Sequence, residues 1–379
     1  MAPLLPSQEE LDRRKVVGFG LEKITNASNS EYPDFFPGET GFAWSVESFK
    51  KNFRVQIHEL NPDESTFSLI GLDASIANAF RRILIAEIPT LAIENVFINN
   101  NTSIIQDEVL ASRLGLIPLK GNKEGLRWMK WFKEAKDGEP GSTLTDYNTV
   151  VLHLDVQCTW QEKGKELFMK GETDSNKLYH NSNVYPSQFT QQPIGRQADF
   201  FSGENAVQPV NPDILIAKLR PGQVITLTMH ANKGKGGDHA KFSPVATATY
   251  RLMPKIDITQ PIIGDDAKKF ARCFPRGVIK LEPVTVGEAK RKGSGYEGQE
   301  GNLKAVVADP MKDTVSRECL RHKEFVDKVK LGRIRDHFIF KIESTGQFDS
   351  DELFLESVRL LKAKCMKMKR SLGEMTSHV

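Results

Sequence analysis

The sequence predicts an α+β protein in which a mixed sheet with packed helices is interrupted by an inserted, mostly β second domain. Three stretches carry that expectation. Residues 71–98 (GLDASIANAFRRILIAEIPTLAIENVFI) read as a helix followed at once by a strand. Leu152, Leu154, Val156, Cys158 and Trp160 alternate with polar residues, as in a strand with one buried face. Near the end, Phe338, Phe340 and Ile342 alternate in the same way ahead of a long helical stretch.

The helix within 71–98 has readable ends. Asp73 is placed to accept hydrogen bonds from first-turn amides. Pro89 cannot continue a helix and pushes Ile88 out of helical geometry. At ~100° per residue, Ile76, Ala77, Phe80, Ile83 and Leu84 form an apolar arc, which predicts contact with a sheet. The opposite arc carries Ser75, Asn78, Arg81 and Arg82, with Ile85 set between the arginines. Glu87 falls on the apolar side, so no acid three or four residues away balances the basic face. Spacing alone fits a solvated face. It fits equally a docking face, where planar guanidinium forks meet carboxylates or carbonyls of another chain around Ile85.

In chain order, residues 1–45 mix prolines, charges and small polar residues and read as a tail. Phe53, Val55 and Ile57 alternate with polar residues, predicting a half-buried strand. Asn61-Pro62-Asp63 turns the chain, and residues 67–72 return it. Leu91–Ile98 follows the helix as a third strand. A short helix is expected over Asp107–Leu114, ended by Gly115 with Pro118 beyond. Trp128, Met129, Trp131 and Phe132 read as a small local core, with base stacking the alternative. Residues 161–206 are rich in Gln, Asn, Ser and Gly and predict long loops, whereas Ile225, Leu227 and Met229 mark another strand.

Residues 46–98 thus form the first part of one domain, 99–240 the insert, and 241–379 its resumption. Within the last part, 286–303 reads as a solvated loop with Lys290-Arg291-Lys292 at its tip. Asp349 and Glu352 have capping-box spacing. Beyond them Phe354, Val358, Leu361, Cys365 and Met368 recur at intervals of four and three residues. That seam suits a helix from another chain, or this chain's own sheet.

Composition narrows the function classes. Among 379 residues, 52 Lys+Arg against 49 Asp+Glu leave a net charge of only +3, so nucleic acid is not the expected chief partner. No apolar run approaches the ~18 residues of a membrane span, and MAPLLPSQEELDRRK lacks a signal peptide's apolar core. Cys158, Cys273, Cys319 and Cys365 never form a CxxC, which disfavours disulfides and a compact metal site. The sequons at Asn26, Asn100 and Asn101 are chance matches without a secretory signal. The glycine-rich 231–239 (ANKGKGGDH) lacks the spacing of a phosphate loop. No catalytic residues, metal ligands or cofactor are expected.

One stretch is more specific than any of these patterns. NAFRRILIAEIPTLAIENVFINNNTSIIQDEVLASRLGLIPL closely resembles the signature segment of the alpha-like subunits of cellular RNA polymerases. HAKFSPVATATYRLMP and DHFIFKIESTG extend the resemblance to both halves of the outer domain. The lack of clustered cysteines in the insert, with KDTVSRECLRHKEFVDKVKLGRIRDHFIF, is similar to the alpha-like type shared by eukaryotic polymerases I and III. The resemblance implies a discontinuous alpha-like dimerisation domain, no catalysis by this chain, and a heterodimer with a smaller alpha-like subunit through Phe80, Ile83, Leu84, Phe338, Phe340, Phe354, Val358, Leu361 and Cys365. It implies docking of the second-largest subunit through Asn78, Arg81, Arg82 and Ile85, and contacts with other subunits of the two polymerases. Nucleic acid would be met only through the assembled enzyme. Nucleus, nucleolus and nucleoplasm, with ribosomal RNA, 5S RNA and tRNA synthesis, follow as expectations. The alternatives are the equivalent subunit of another polymerase, a nucleotide-binding enzyme using 225–245, and a DNA-binding module using LKAKCMKMKR.

Overall fold

An edge strand emerges from the expected tail. The computed structural model describes residues 15–27, 45–133, 141 and 143–377, so much of the tail reading lies outside the described residues. Strands β1 (Val16–Phe19) and β2 (Ile24–Thr25) precede helix α1 (Val46–Asn52). Strands β3 (Arg54–Leu60) and β4 (Glu64–Ile70), helix α2 (Ala74–Ala86) and strand β5 (Pro89–Asn101) follow. Next come α3 (Asp107–Gly115), α4 (Lys123–Trp128), β6 (Thr149–Gln157), β7 (Thr190–Gln191) and β8 (Val224–Lys235). The chain continues with β9 (Val245–Ile258), α5 (Asp265–Arg272), β10 (Ile279–Pro283), β11 (Leu303–Val307), β12 (Val329–Ser344) and α6 (Ser350–Ser377).

These elements form two compact units. The first comprises 1–58, 66–78 and 250–340, and the second 59–65, 79–249 and 341–379. Residue 99, where the sequence reading starts the insert, lies within β5.

The first unit is built on a sheet of order β2-β1-β12-β4-β3, with β9 also pairing β12. β1 runs antiparallel to β12, Val16 opposite Ile334 and Phe19 opposite Leu331. A partner so distant in sequence leaves no local signal for so short a strand. Phe67 stacks on Phe340 at 5.6 Å, and Tyr250 packs edge-on against Phe338. A second cluster gathers Ile262, Ala267, Phe270, Val278, Cys319 and Phe325. Burial pushes the Cys319 thiol up to about 12, so this cysteine behaves as a small apolar core residue. The half-buried strand expected at 53–57 is instead exposed throughout as β3. It is the sheet's last strand, and Ile57 is 62% exposed.

The region 286–303 is more ordered than a solvated loop. Thr285 and Glu288 form a capping box, and Glu288 also binds Lys304 of β11. These bonds hold the Glu288 carboxyl at about 2, below its ordinary 4.5. The folded pKa is depressed, so this stability is present above the unfolded value and is lost as pH falls from about 4.5 towards 2. Glu288→Gln is accordingly expected to lower stability at neutral pH. The gap to the parent should close across that acid window in denaturant titrations at stepped pH.

The second unit carries a sheet of order β7-β6-β8-β5. Leu227 pairs with Leu154 on one side and Ile98 on the other. Leu152, Leu154, Val156, Ile225, Leu227 and Met229 point inward with Leu110 and Leu114 of α3, as alternation along β6 and β8 requires. Residues 161–206 form several short helices and strands rather than long loops. Amide side chains replace the hydrogen bonds that regular structure would supply. Buried Gln197 donates to the Asp146 and Thr149 carbonyls at 2.6 Å each, and Gln191 accepts from Val207 N at 2.6 Å.

Candidate partner-docking surfaces

Helix α2 begins as its sequence demands. Asp73 Oδ1 accepts from Ser75 N at 2.7 Å, and its carbonyl accepts from Ala77 N at 3.1 Å. The apolar arc packs inward, so Ala77, Phe80, Ile83 and Leu84 are buried. On the other side Arg82 is exposed and Ile85 is 36% exposed, while Asn78 and Arg81 are half-buried. The four residues expected at a large-subunit contact therefore share one accessible helix face.

The end of that helix is held by a glycine run whose role was not legible in the sequence. Gly237 N donates to the Ala86 carbonyl at 2.9 Å. A Cβ on Gly236 would lie 2.1 Å from the Ile85 carbonyl oxygen, and one on Gly234 would lie 2.5 Å from the Phe242 ring. The run is thus a close-packing device rather than a flexible turn. Gly236→Val is expected to lower stability by about 1–3 kcal/mol through overpacking, measured by thermal or denaturant unfolding. Gly287→Val, where a Cβ meets nothing within 4 Å, should leave stability nearly unchanged.

Beside this run, Lys233 Nζ donates to the Leu126 and Met129 carbonyls at 2.8 and 3.2 Å, at the C-terminal end of α4. Burial, with Lys235 nearby, pulls the Lys233 pKa down. Both ammonium groups lie about 5 Å from the centre of the Trp131 ring, at 5.1 and 5.0 Å. The tryptophan cluster divides accordingly. Met129 is buried and Trp128 stacks on Phe200, but Trp131 remains 44% exposed.

Helix α6 is the second surface. Its 28 residues span about 42 Å at 1.5 Å per residue. Its first turns pack against the chain. Leu353 and Ser357 are buried, and Phe354 meets Phe80 edge-on at 5.3 Å. Glu352, expected in a capping box, pairs its carboxylate with Lys123. Farther along, Lys364 reaches Glu87 at 2.5 Å. Val358 and Cys365 are exposed and Leu361 is half-buried, while Met366, Met368, Leu372 and Met375 stand in solvent.

Nine residues were expected at a dimer interface, and the structure separates them. Phe80, Ile83, Leu84, Phe338 and Phe340 are buried within this chain, because α2 and β12 turn them onto their own packing. Phe354 is half-covered by Phe80. Val358 and Cys365 are exposed, and Leu361, like Phe354, is half-buried. Among the described residues, no three His, Cys, Asp or Glu side chains gather where a metal ion would bind.

The profile of the RNA polymerase Rpb3/Rpb11 dimerisation domain matches residues 66–365, which include α2 and most of α6. The chain belongs to that family. The chain is similar to DNA-directed RNA polymerases I and III subunit RPAC1 of Saccharomyces cerevisiae, 48% identical over 354 residues covering 93% of this chain and 97% of the relative. The human protein of the same name is 42% identical over 360 residues, 95% of each chain. A Dictyostelium discoideum relative, DNA-directed RNA polymerase II subunit rpb3, is more distant at 31% identity over 335 residues, 87% of this chain and 98% of its own. Likeness to the polymerase I and III type thus exceeds likeness to this polymerase II type.

Proposed function

We propose that this chain is the non-catalytic alpha-like subunit shared by nuclear RNA polymerases I and III, and that its work is assembly. The names and near-complete coverage of the relatives support the class. The observation that carries the mechanism is the bare ridge of α6, where Val358 is 39% and Met368 66% exposed. A smaller alpha-like subunit covers Val358, Leu361 and Cys365. The second-largest subunit docks on Asn78, Arg81, Arg82 and Ile85. Phe80, Ile83, Leu84, Phe338, Phe340 and Phe354 act behind these faces, as the packing that fixes α2, β12 and the root of α6.

Obligate interfaces of this kind commonly bury more than ~2,000 Å². Each large apolar side chain removed from water contributes about 1.5–3 kcal/mol. The resulting enzyme makes ribosomal RNA, 5S RNA and tRNA in the nucleolus and nucleoplasm, and nucleic acid is handled by the complete assembly. The four cysteines supply a direct test. Cys365 is exposed, Cys158 and Cys319 are buried, and Cys273 lies between. In the isolated chain Cys365 should be alkylated first. In the heterodimer it should be protected at least tenfold, and equal labelling of both forms would refute the proposed ridge.

A further inference from the structure

A groove of ≈ 570 Å³ lies in the second unit, and none of Asn78, Arg81, Arg82, Ile85, Val358, Leu361 and Cys365 lines it. Its volume is in the range that takes a small ligand or a few residues of extended chain. One wall is apolar, made by Pro186, Phe189, Pro209 and Pro212. The other is acidic, with Asp63 after Pro62 and Asp349 ahead of α6. Ser350 stitches this wall together, its N–H donating to the Pro62 carbonyl at 2.8 Å and its hydroxyl to the Asn61 carbonyl at 2.7 Å. The walls meet at Gly346, whose φ is +84° and whose Cβ, if present, would lie 2.4 Å from Val210 Cγ1.

The chemistry of the lining selects its occupant. Prolines have no N–H, so most of the apolar wall gives an anion nothing to bind. Lys120 is the single basic residue of the lining, against the carboxylates of Asp63 and Asp349. An occupant therefore needs an apolar stem for the proline and phenylalanine wall and a cationic, donor-rich head for the acids. Arginine combines the two, since its stem packs on apolar surface while its planar head forks onto carboxylates.

We infer that this groove holds an extended, arginine-bearing segment of a neighbouring polymerase subunit. The inference rests on the assembly reading above, and the two fail separately. The test uses the full-length chain, carrying an affinity tag, and overlapping short peptides that cover the subunits co-purifying with it. Arginine-bearing peptides should bind and weaken with added salt. Asp63→Asn with Asp349→Asn should weaken them roughly tenfold, as expected for two partly exposed ion pairs. Lys120→Glu should tighten the same peptides severalfold, a gain that no folding defect produces.

If no polymerase subunit co-purifies, the assembly reading falls and the groove's assignment with it. If subunits co-purify and no peptide binds, the groove's assignment alone is overturned. Binding of acidic peptides or of inorganic phosphate in place of basic peptides would also overturn it, as would affinities unchanged in all the variants.

Discussion

Leu361→Asp is expected to abolish co-purification of the smaller alpha-like subunit while leaving this chain folded. Leu361 is half-buried on α6 between exposed Val358 and exposed Cys365, at the middle of the four-and-three ridge. In the isolated chain an aspartate there keeps its water, so stability should change by no more than about 0.5–1 kcal/mol. In the heterodimer the same substitution removes about 1.5–3 kcal/mol of apolar burial. It also strands a carboxylate in a dry interface, at a cost of several kcal/mol more. The sum exceeds a thousandfold in affinity. Pull-down of the tagged chain with a parallel thermal melt reads both halves, and unchanged co-purification would remove Leu361 from the interface.

Arg82→Ala should weaken docking of the second-largest subunit by roughly 2–5 kcal/mol if its guanidinium meets a desolvated acid. Arg82 is exposed on α2 beside Ile85, so the isolated chain should be nearly indifferent to the change. Lysine should restore little, because an ammonium cannot reproduce a two-pronged bond to a carboxylate. Reconstitution with the purified second-largest subunit reads the effect. A loss within about 0.5 kcal/mol would return this arginine to ordinary surface.

Much of α2 was legible because local signals agreed. Asp73 opens it, the stretch before Pro89 closes it, and the apolar arc faces inward. Alternation likewise located β6, β8 and the buried end of β12. Three features were hidden for physical reasons. β1 owes its existence to a partner near the other end of the chain. The alternation of Val55 and Ile57 implies one covered face, but that face is open on β3 of this chain alone. Residues 161–206 look loop-like because glutamines and asparagines there complete a network of bonds that composition does not reveal.

The docking surfaces were only half readable. Sequence period placed Asn78, Arg81, Arg82 and Ile85 on one arc, and the structure keeps them together on α2. It could not distinguish Phe338 and Phe340, which serve the chain's own interior, from Val358 and Cys365, which do not. Both sets are spaced like core residues, and only the course of the backbone separates them. The contribution of Gly236 was invisible for a related reason. Its meaning lies in the carbonyl it approaches, not in its neighbours along the chain.

The far turns of α6 have one more consequence. Past Lys364 the side chains of Cys365, Met366, Met368 and Met375 are exposed, and isolated helical segments of a few turns are marginal in water. Gly373 weakens it further, since glycine disfavours helix by about 1 kcal/mol relative to alanine. On the assembly reading proposed above, covering this arm would also fix its helix. The entropy lost in straightening offsets part of the contact energy, so a subunit can recognise its mate through a long, selective surface without the pairing becoming irreversible.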